Sequence, residues 1–258
     1  AEWLRRGLQI LAPRFDSGRG LHLSVGYMQR VFGSPKPAMI DYEKARTNMV
    51  DCQIRPNDVT NHDIIQAFLA VPRENFVSAA QKPLAYIDED LPLASIDSTR
   101  YLMEAMSMSK LIQLADIGRD DIVLDIGCAT GYSSAVLSKL CTSVVAIESD
   151  GELAEQAPQN LLELGCDNAV VAHAPLEKGL AGEGPYVVIF IGGAVDELPS
   201  GLTDQLKEGG RLVVVEGHGN AGVACLYTRD NGIIGRRLAF NCAVMPLPGF
   251  EKAAEFVF

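Results

Sequence analysis

The stretch Val123-Leu-Asp-Ile-Gly-Cys-Ala-Thr-Gly-Tyr132 holds the residues whose types and spacing best suit chemistry. An apolar run turns on Gly127 and Gly131 and passes into a helical pattern. Glycine and the small residues Cys128, Ala129 and Thr130 let a backbone approach a ligand, and the start of the following helix offers free N–H groups. A dinucleotide is one ligand for such a loop, but its G-x-G-x-x-G spacing fails, because Ala129 and Tyr132 stand where glycines belong. Asp125 would also repel a pyrophosphate, whereas it suits the cationic, amine-bearing end of S-adenosylmethionine. A tight strand–helix turn without a ligand is the bland alternative. A second acid favours the ligand. Glu148 ends the run Val144-Val-Ala-Ile-Glu148, 17 residues after Gly131, where a carboxylate can accept hydrogen bonds from both hydroxyls of a ribose. Taken alone, a strand-ending glutamate is more often a solvated carboxylate.

The elements that must position these residues alternate. Residues 121–126, 143–147, 169–172, 186–191 and 211–216 read as short buried strands, and 132–140, 151–164 and 195–206 as helices. Residues 224–245 carry strands with no helix between them, an antiparallel edge. Ahead of this core, residues 40–71 are helical. Ala45, Met49 and Cys52 form one apolar face, and Ile64, Ile65, Phe68 and Leu69 form another. Pro56 and Asn57-Asp58 divide the two helices, and Pro72 ends the second. Residues 83–97 are loop-like, with Asp88, Glu89 and Asp90. A third helix follows from Leu102, Ala105, Met108, Leu111 and Ile112, with Ser98 or Thr99 as its cap. A helical cap, a βαβ core and a strand-rich end make a doubly wound α/β sheet.

Composition narrows the partners. The chain has 258 residues, 48% of them hydrophobic, enough for one large domain. The net charge of −11 argues against a nucleic-acid partner. Residues 1–38 differ from the rest: six basic and two acidic residues give +4, leaving −15 for residues 39–258. Ser34-Pro35-Lys36-Pro37 reads as a linker. A basic N-terminal extension outside the fold is expected, either an arm or an organellar targeting segment, followed by the ligand-binding domain at 39–258. The six cysteines form no C-x-x-C pair and stand at no metal-ligand spacing from the four histidines, so no metal is expected. No apolar run approaches a membrane span, and a cytoplasmic protein without a membrane partner is the default.

Several segments are similar to the protein-L-isoaspartate O-methyltransferase family. They are Arg46-Thr-Asn-Met-Val50 with Gln53-Ile54, Val71-Pro-Arg-Glu-Asn-Phe-Val77, and Ala85-Tyr-Ile-Asp88 with Leu91-Pro-Leu93. The loop at 123–132, Ala146-Ile-Glu148, Pro185-Tyr-Val-Val-Ile189 and Gln205-Leu-Lys-Glu-Gly-Gly-Arg-Leu-Val213 match as well. The first group is particular to this family, and the last segment is common to many methyltransferases. The resemblance covers almost all of residues 42–250. It implies a Rossmann-like class I methyltransferase sheet, S-adenosyl-L-methionine as cofactor, and methyl transfer to the carboxylate of an isoaspartyl residue in a damaged protein. Two departures stand out. The family's Gly-x-Gly-Gln-Thr-Ile-Ser is here Ala94-Ser-Ile-Asp-Ser-Thr-Arg100, which puts Arg100 in the place of a serine near the reacting carboxylate. The family's Gly-Asp-Gly is here Ala174-Pro175-Leu176. With Pro-Leu-Glu-Lys-Gly and a closing Leu-Pro-Gly-Phe, the chain resembles a divergent branch found in alphaproteobacteria.

Carried onto this sequence, the resemblance implies that Asp125, Gly127, Cys128, Ala129, Thr130, Gly131 and Tyr132 hold the amino-acid end of the cofactor. Glu148 would hold the ribose, and Leu176 and Gly192 would flank the adenine. Ser98, Thr99 and Arg100 would face the acceptor, and no protein nucleophile is expected. Arg100 allows three readings: a bidentate partner for an acceptor carboxylate, a brake on that oxygen's nucleophilicity, or a salt bridge with the acids at 88–90. Two other functions stay open, a methyltransferase with a different acceptor and a non-catalytic cofactor-binding module.

Overall fold

The computed structural model describes residues 40–93, 100–217 and 219–252. Residues 1–38, Ser98 and Thr99 therefore lie outside the described residues. The first helix, α1 (Tyr42–Met49), is capped by Asp41, whose side chain accepts from the Lys44 amide. It runs into a π turn at Val50–Ile54, then a 3-10 turn at Arg55–Asn57 that ends on left-handed Asp58. The π turn corrects one expectation. Its wider winding puts Val50 and Ile54 inside and leaves Cys52 exposed, off the apolar face that Met49 sets. Asn61 caps α2 (His62–Ala70) by accepting from Asp63 and Ile64.

Two short strands, β1 (Leu91–Pro92) and β2 (Tyr101–Leu102), pair antiparallel. Helix α3 (Ala105–Ala115) begins later than the apolar spacing implied. Leu102 is buried as a strand residue opposite Leu91, and Glu104 is the helix cap, its own N–H donating to Asp90 Oδ1 at 2.8 Å.

The main sheet holds β3 (Ile122–Ile126), β4 (Ser143–Glu148), β5 (Ala169–His173), β6 (Tyr186–Val195), β7 (Leu206–Glu216), β8 (Val223–Asp230) and β9 (Ile233–Asn241). Their order is β5-β4-β3-β6-β7-β8-β9. The first five are parallel, and β8 and β9 extend the sheet antiparallel, as the helix-free tail implied. Helix α4 (Tyr132–Leu137) links β3 to β4, and α5 (Gly151–Glu163) links β4 to β5. The helix expected over 195–206 shrinks to one turn, α6 (Ser200–Thr203). Val195 stays in β6, and Pro199, which has no N–H and a fixed φ, stops a helix from running through it and instead caps the single turn.

Period-two alternation splits the core between the two faces. Val123, Val144, Val188 and Phe190 pack with the helical cap on one face. Leu124, Ile126, Ile147, Ile189 and Ile191 pack on the other with Leu176, Leu202 and Leu247. Each fully buried side chain of this kind contributes about 1.5–3 kcal/mol. No helix among the described residues is long and apolar enough to cross a membrane. The chain leaves β3 outward towards β5, then returns to place β6 on the other side of β3. Ligand crevices open at the carboxyl ends of strands at such a switch point.

Candidate functional site

The loop after β3 is bent by three left-handed residues, Gly127 at φ 82°, Ala129 at φ 51° and Gly131 at φ 94°. Gly127 and Cys128 donate their amides to the Ile147 carbonyl, which ties the loop to the end of β4. Thr130 Oγ1 donates to the Phe76 carbonyl at 2.7 Å, and Asn160 donates to the Thr130 carbonyl at 2.8 Å. Tyr132 is fully buried between Phe68, Phe76 and the Arg73 guanidinium, so its ring anchors the loop to the helical cap. Gly192, near the end of β6, closes the other wall. A Cβ there would lie 3.1 Å from the Gly127 carbonyl oxygen.

Asp125 points to the cap side of the sheet. Its Oδ2 accepts from Ser133 at 2.7 Å and Ser134 at 2.6 Å, in the first turn of α4, where a negative charge meets the positive end of the helix. Burial pushes its carboxyl up to about 6, against the two serine hydrogen bonds, with the Glu148 charge adding to the rise and Arg100 opposing it. Cys128 beside it is buried, and burial together with the charges of Asp125 and Glu148 holds its thiol well above the usual range, so it offers no nucleophile.

Glu148 is fully buried and Arg100 is 4% exposed. Arg100 Nη2 donates to Glu148 Oε2 at 2.9 Å, Arg100 Nε reaches Oε1 at 3.1 Å, and Nη2 also donates to the Gly127 carbonyl at 2.8 Å. The same carboxylate accepts the amides of Ala129 at 2.7 Å, Ser149 at 2.9 Å and Asp150 at 3.1 Å. A carboxylate has about four lone-pair sites. Two guanidinium N–H groups and three amides, five donors in all, therefore more than fill it, and the Arg100 pair shares acceptor capacity with the amides.

A second intrusion comes from the C-terminal segment. The Leu247 amide donates to the Ala194 carbonyl at 2.9 Å, and the Ala194 amide donates to the Met245 carbonyl at 3.0 Å. This bridge carries Leu247 onto the glycines. A Cβ on Gly193 would lie 2.7 Å from Leu247 Cγ, and one on Gly127 would lie 2.9 Å from both Leu247 Cδ2 and Arg100 Nη2. The cleft between Asp90, Arg100, Tyr101, Met103 and Gly192 holds only about 10 Å³, at the limit for one water. Beyond Glu148, an open cavity of about 320 Å³ is lined by Ser149, His173, Ala174, Pro175, Pro248 and Gly249.

The structure thus brings together Asp125, Gly127, Cys128, Ala129, Thr130, Gly131, Glu148, Gly192 and Arg100 at the carboxyl ends of β3, β4 and β6. Tyr132 turns away into the cap, and the Leu176 side chain is fully buried in the core beneath the open cavity's rim. Sequence reasoning missed Leu247, Ser133 and Ser134. Paired serines at a helix start facing a strand aspartate are a readable signal for the last two. The set suits a nucleoside sulfonium in kind, with a buried carboxylate, a glycine-rich loop and an open cavity alongside. The side chains of Arg100 and Leu247 occupy the space between them.

The sequence profile described as Protein-L-isoaspartate(D-aspartate) O-methyltransferase matches residues 44–252. A protein-L-isoaspartate O-methyltransferase from Koribacter versatilis is 32% identical over 213 residues, covering 83% of this chain and 95% of its own. A solved protein-L-isoaspartate O-methyltransferase superposes with a TM-score of 0.71 at 25% identity, covering 79% of this chain and 66% of that one. A beta-aspartate methyltransferase from Plasmodium falciparum, in complex with S-adenosyl-L-homocysteine, has a TM-score of 0.63 at 19% identity and covers 79% and 96%. That last likeness concerns the fold alone.

Proposed function

The chain belongs to the protein-L-isoaspartate O-methyltransferase family, and on that premise we propose that it uses S-adenosyl-L-methionine to methylate the carboxylate of isoaspartyl residues in damaged proteins. The observation that carries this reading is the buried acid Glu148 at the end of β4, set against the glycine-bent loop at the sheet's switch point. S-adenosylmethionine, when bound, supplies a methyl group on a sulfonium that is already a good leaving group.

The acceptor carboxylate is ionised at neutral pH, with an ordinary pKa near 4, so no general base is required. The work left to this chain is alignment in a water-poor site. Glu148 would accept the ribose hydroxyls, and the 127–131 backbone would face the amino-acid end. Ser149, Ala174 and Pro175 would border the adenine in the open cavity. Asp125 acts at one remove, pinning the start of α4 through Ser133 and Ser134. Arg100 and the cleft beside Asp90 and Met103 lie on the side where the acceptor would enter. We place the protein in the cytoplasm, where its six thiols stay reduced.

The test is a methylation assay with an isoaspartyl peptide and its normal aspartyl twin. A base-labile methyl ester on the first and none on the second is the expected result. Equal labelling of both, or label only on an unrelated acceptor, refutes the assignment of substrate.

A further inference from the structure

We infer that Arg100 is a cofactor-gating residue: its guanidinium occupies the ribose-accepting carboxylate Glu148 and must leave before an adenosyl group can be held there. This inference rests on the proposed use of S-adenosylmethionine.

The Arg100 guanidinium and a ribose diol compete for the same lone pairs. Glu148 offers about four acceptor sites. Three are committed to the Ala129, Ser149 and Asp150 amides, which shape the loop and the turn after β4. The capacity left over, about one site, is shared by Arg100 Nε and Nη2, at 2.9–3.1 Å. A ribose diol is a neutral donor pair, whereas the guanidinium fork is a charged one in a site with 0% and 4% exposure on its two members. Charge-assisted hydrogen bonds are the stronger kind, so the fork outcompetes the diol unless Arg100 finds another partner. The fork is held at a second point as well, because Nη2 donates to the Gly127 carbonyl, the atom that faces Gly192 across the crevice. Leu247 seals the same spot from the C-terminal side, against Gly127 and Gly193.

Removing the guanidinium leaves the carboxylate well supported. The three amides remain, and they supply hydrogen bonds to a buried anion that would otherwise be costly. Arg100→Ser therefore vacates the ribose directions without stripping Glu148 of its donors. In the language of populations, the open state is a minor one in the unsubstituted chain, and apparent affinity is divided by its fraction. A minor state of roughly 1–10% corresponds to a penalty of about 10- to 100-fold in dissociation constant.

The experiment is calorimetric titration of S-adenosylhomocysteine into the full chain, Arg100→Ser and Arg100→Lys, each checked for folding by its thermal unfolding transition. S-adenosylhomocysteine is the probe because its binding is read without turnover. Arg100→Ser is expected to bind about 10- to 100-fold more tightly than the unsubstituted chain. Arg100→Lys, which keeps the charge and loses the fork, is expected to fall between the two. Should Arg100→Ser fail to fold, the lysine variant carries the comparison. Equal affinities across the folded chains, or weaker binding by the variants, overturn the gating role while leaving the cofactor assignment intact. Absence of binding by every folded chain at millimolar probe overturns both.

Discussion

Replacing Asp125 with asparagine isolates one buried charge and turns it into a pH-dependent stability. Asp125 is fully buried, and burial raises its carboxyl from the ordinary 3.8 to about 6. A raised folded-state value means that the folded chain keeps this proton after the unfolded chain has released it. The penalty for burying the anion is therefore absent below about pH 4, grows as pH rises through the window, and is complete above about pH 6. A gap of about two pH units, at about 1.4 kcal/mol each, makes the full penalty about 3 kcal/mol. Asparagine keeps a side-chain oxygen for Ser133 and Ser134 but does not ionise. Any fixed cost of its amide group applies at every pH and drops out of the comparison. Denaturant unfolding of both chains between pH 4 and pH 7.5 measures the effect, since the other titrating groups are shared. The difference in unfolding free energy should move by about 3 kcal/mol in favour of Asp125→Asn as pH rises. Parallel stability curves would refute the reasoning and show that Asp125 pays no burial penalty as an anion.

Further predictions follow from the same neighbourhood. Glu148→Ala takes the carboxylate partner from the Arg100 guanidinium in a site where it is 4% exposed, and should lower unfolding free energy by about 3–5 kcal/mol. The double variant with Arg100→Ser should recover a large part of that loss, and a strictly additive cycle in chemical denaturation would show that the pair is not coupled. Gly127→Ala places a Cβ 2.9 Å from Arg100 Nη2 and Leu247 Cδ2 at φ 82°, so a loss of about 1–3 kcal/mol is expected, read as a lowered unfolding midpoint. Leu247→Ala removes a side chain that is 2% exposed and should cost about 2–5 kcal/mol, the usual range for a truncated core leucine. A chain of residues 39–258 is expected to keep the melting temperature of the full chain, because the family match begins at residue 44 and the charge changes sign near residue 38.

The strands of the parallel core were legible because burial on both faces demands continuous apolar runs, and these runs stand between recognisable turns. Residues 186–191 and 211–216 were underestimated in length for a related reason. Gly192 and Gly193, and Gly209 and Gly210, have no side chains to add to the apolar pattern that set those bounds, and the structure keeps all four in strand. The π turn after α1 has no periodic signature, since Val50-Asp-Cys-Gln-Ile54 also fits an α-helix in which Cys52 faces inwards. In the site, the positions of the 127–131 loop and of Glu148 at strand ends followed from composition and spacing. The pairing of Arg100 with Glu148 did not, because 48 residues separate them and only the parallel register of β3 and β4 brings the loop and the acid together. Leu247 was equally hidden. Pro-Leu-Pro-Gly reads as a loop, and its burial depends on the missing side chain of Gly193, a residue 54 positions earlier in the sequence.

A crystal structure of the unsubstituted chain grown with S-adenosylhomocysteine tests the central claim most directly. The account predicts the ribose hydroxyls within hydrogen-bonding distance of the Glu148 carboxylate, the adenine beside Ser149 and Pro175, and the Arg100 guanidinium withdrawn from Glu148. A nucleoside bound elsewhere, or bound with the Arg100–Glu148 pair intact, would contradict it.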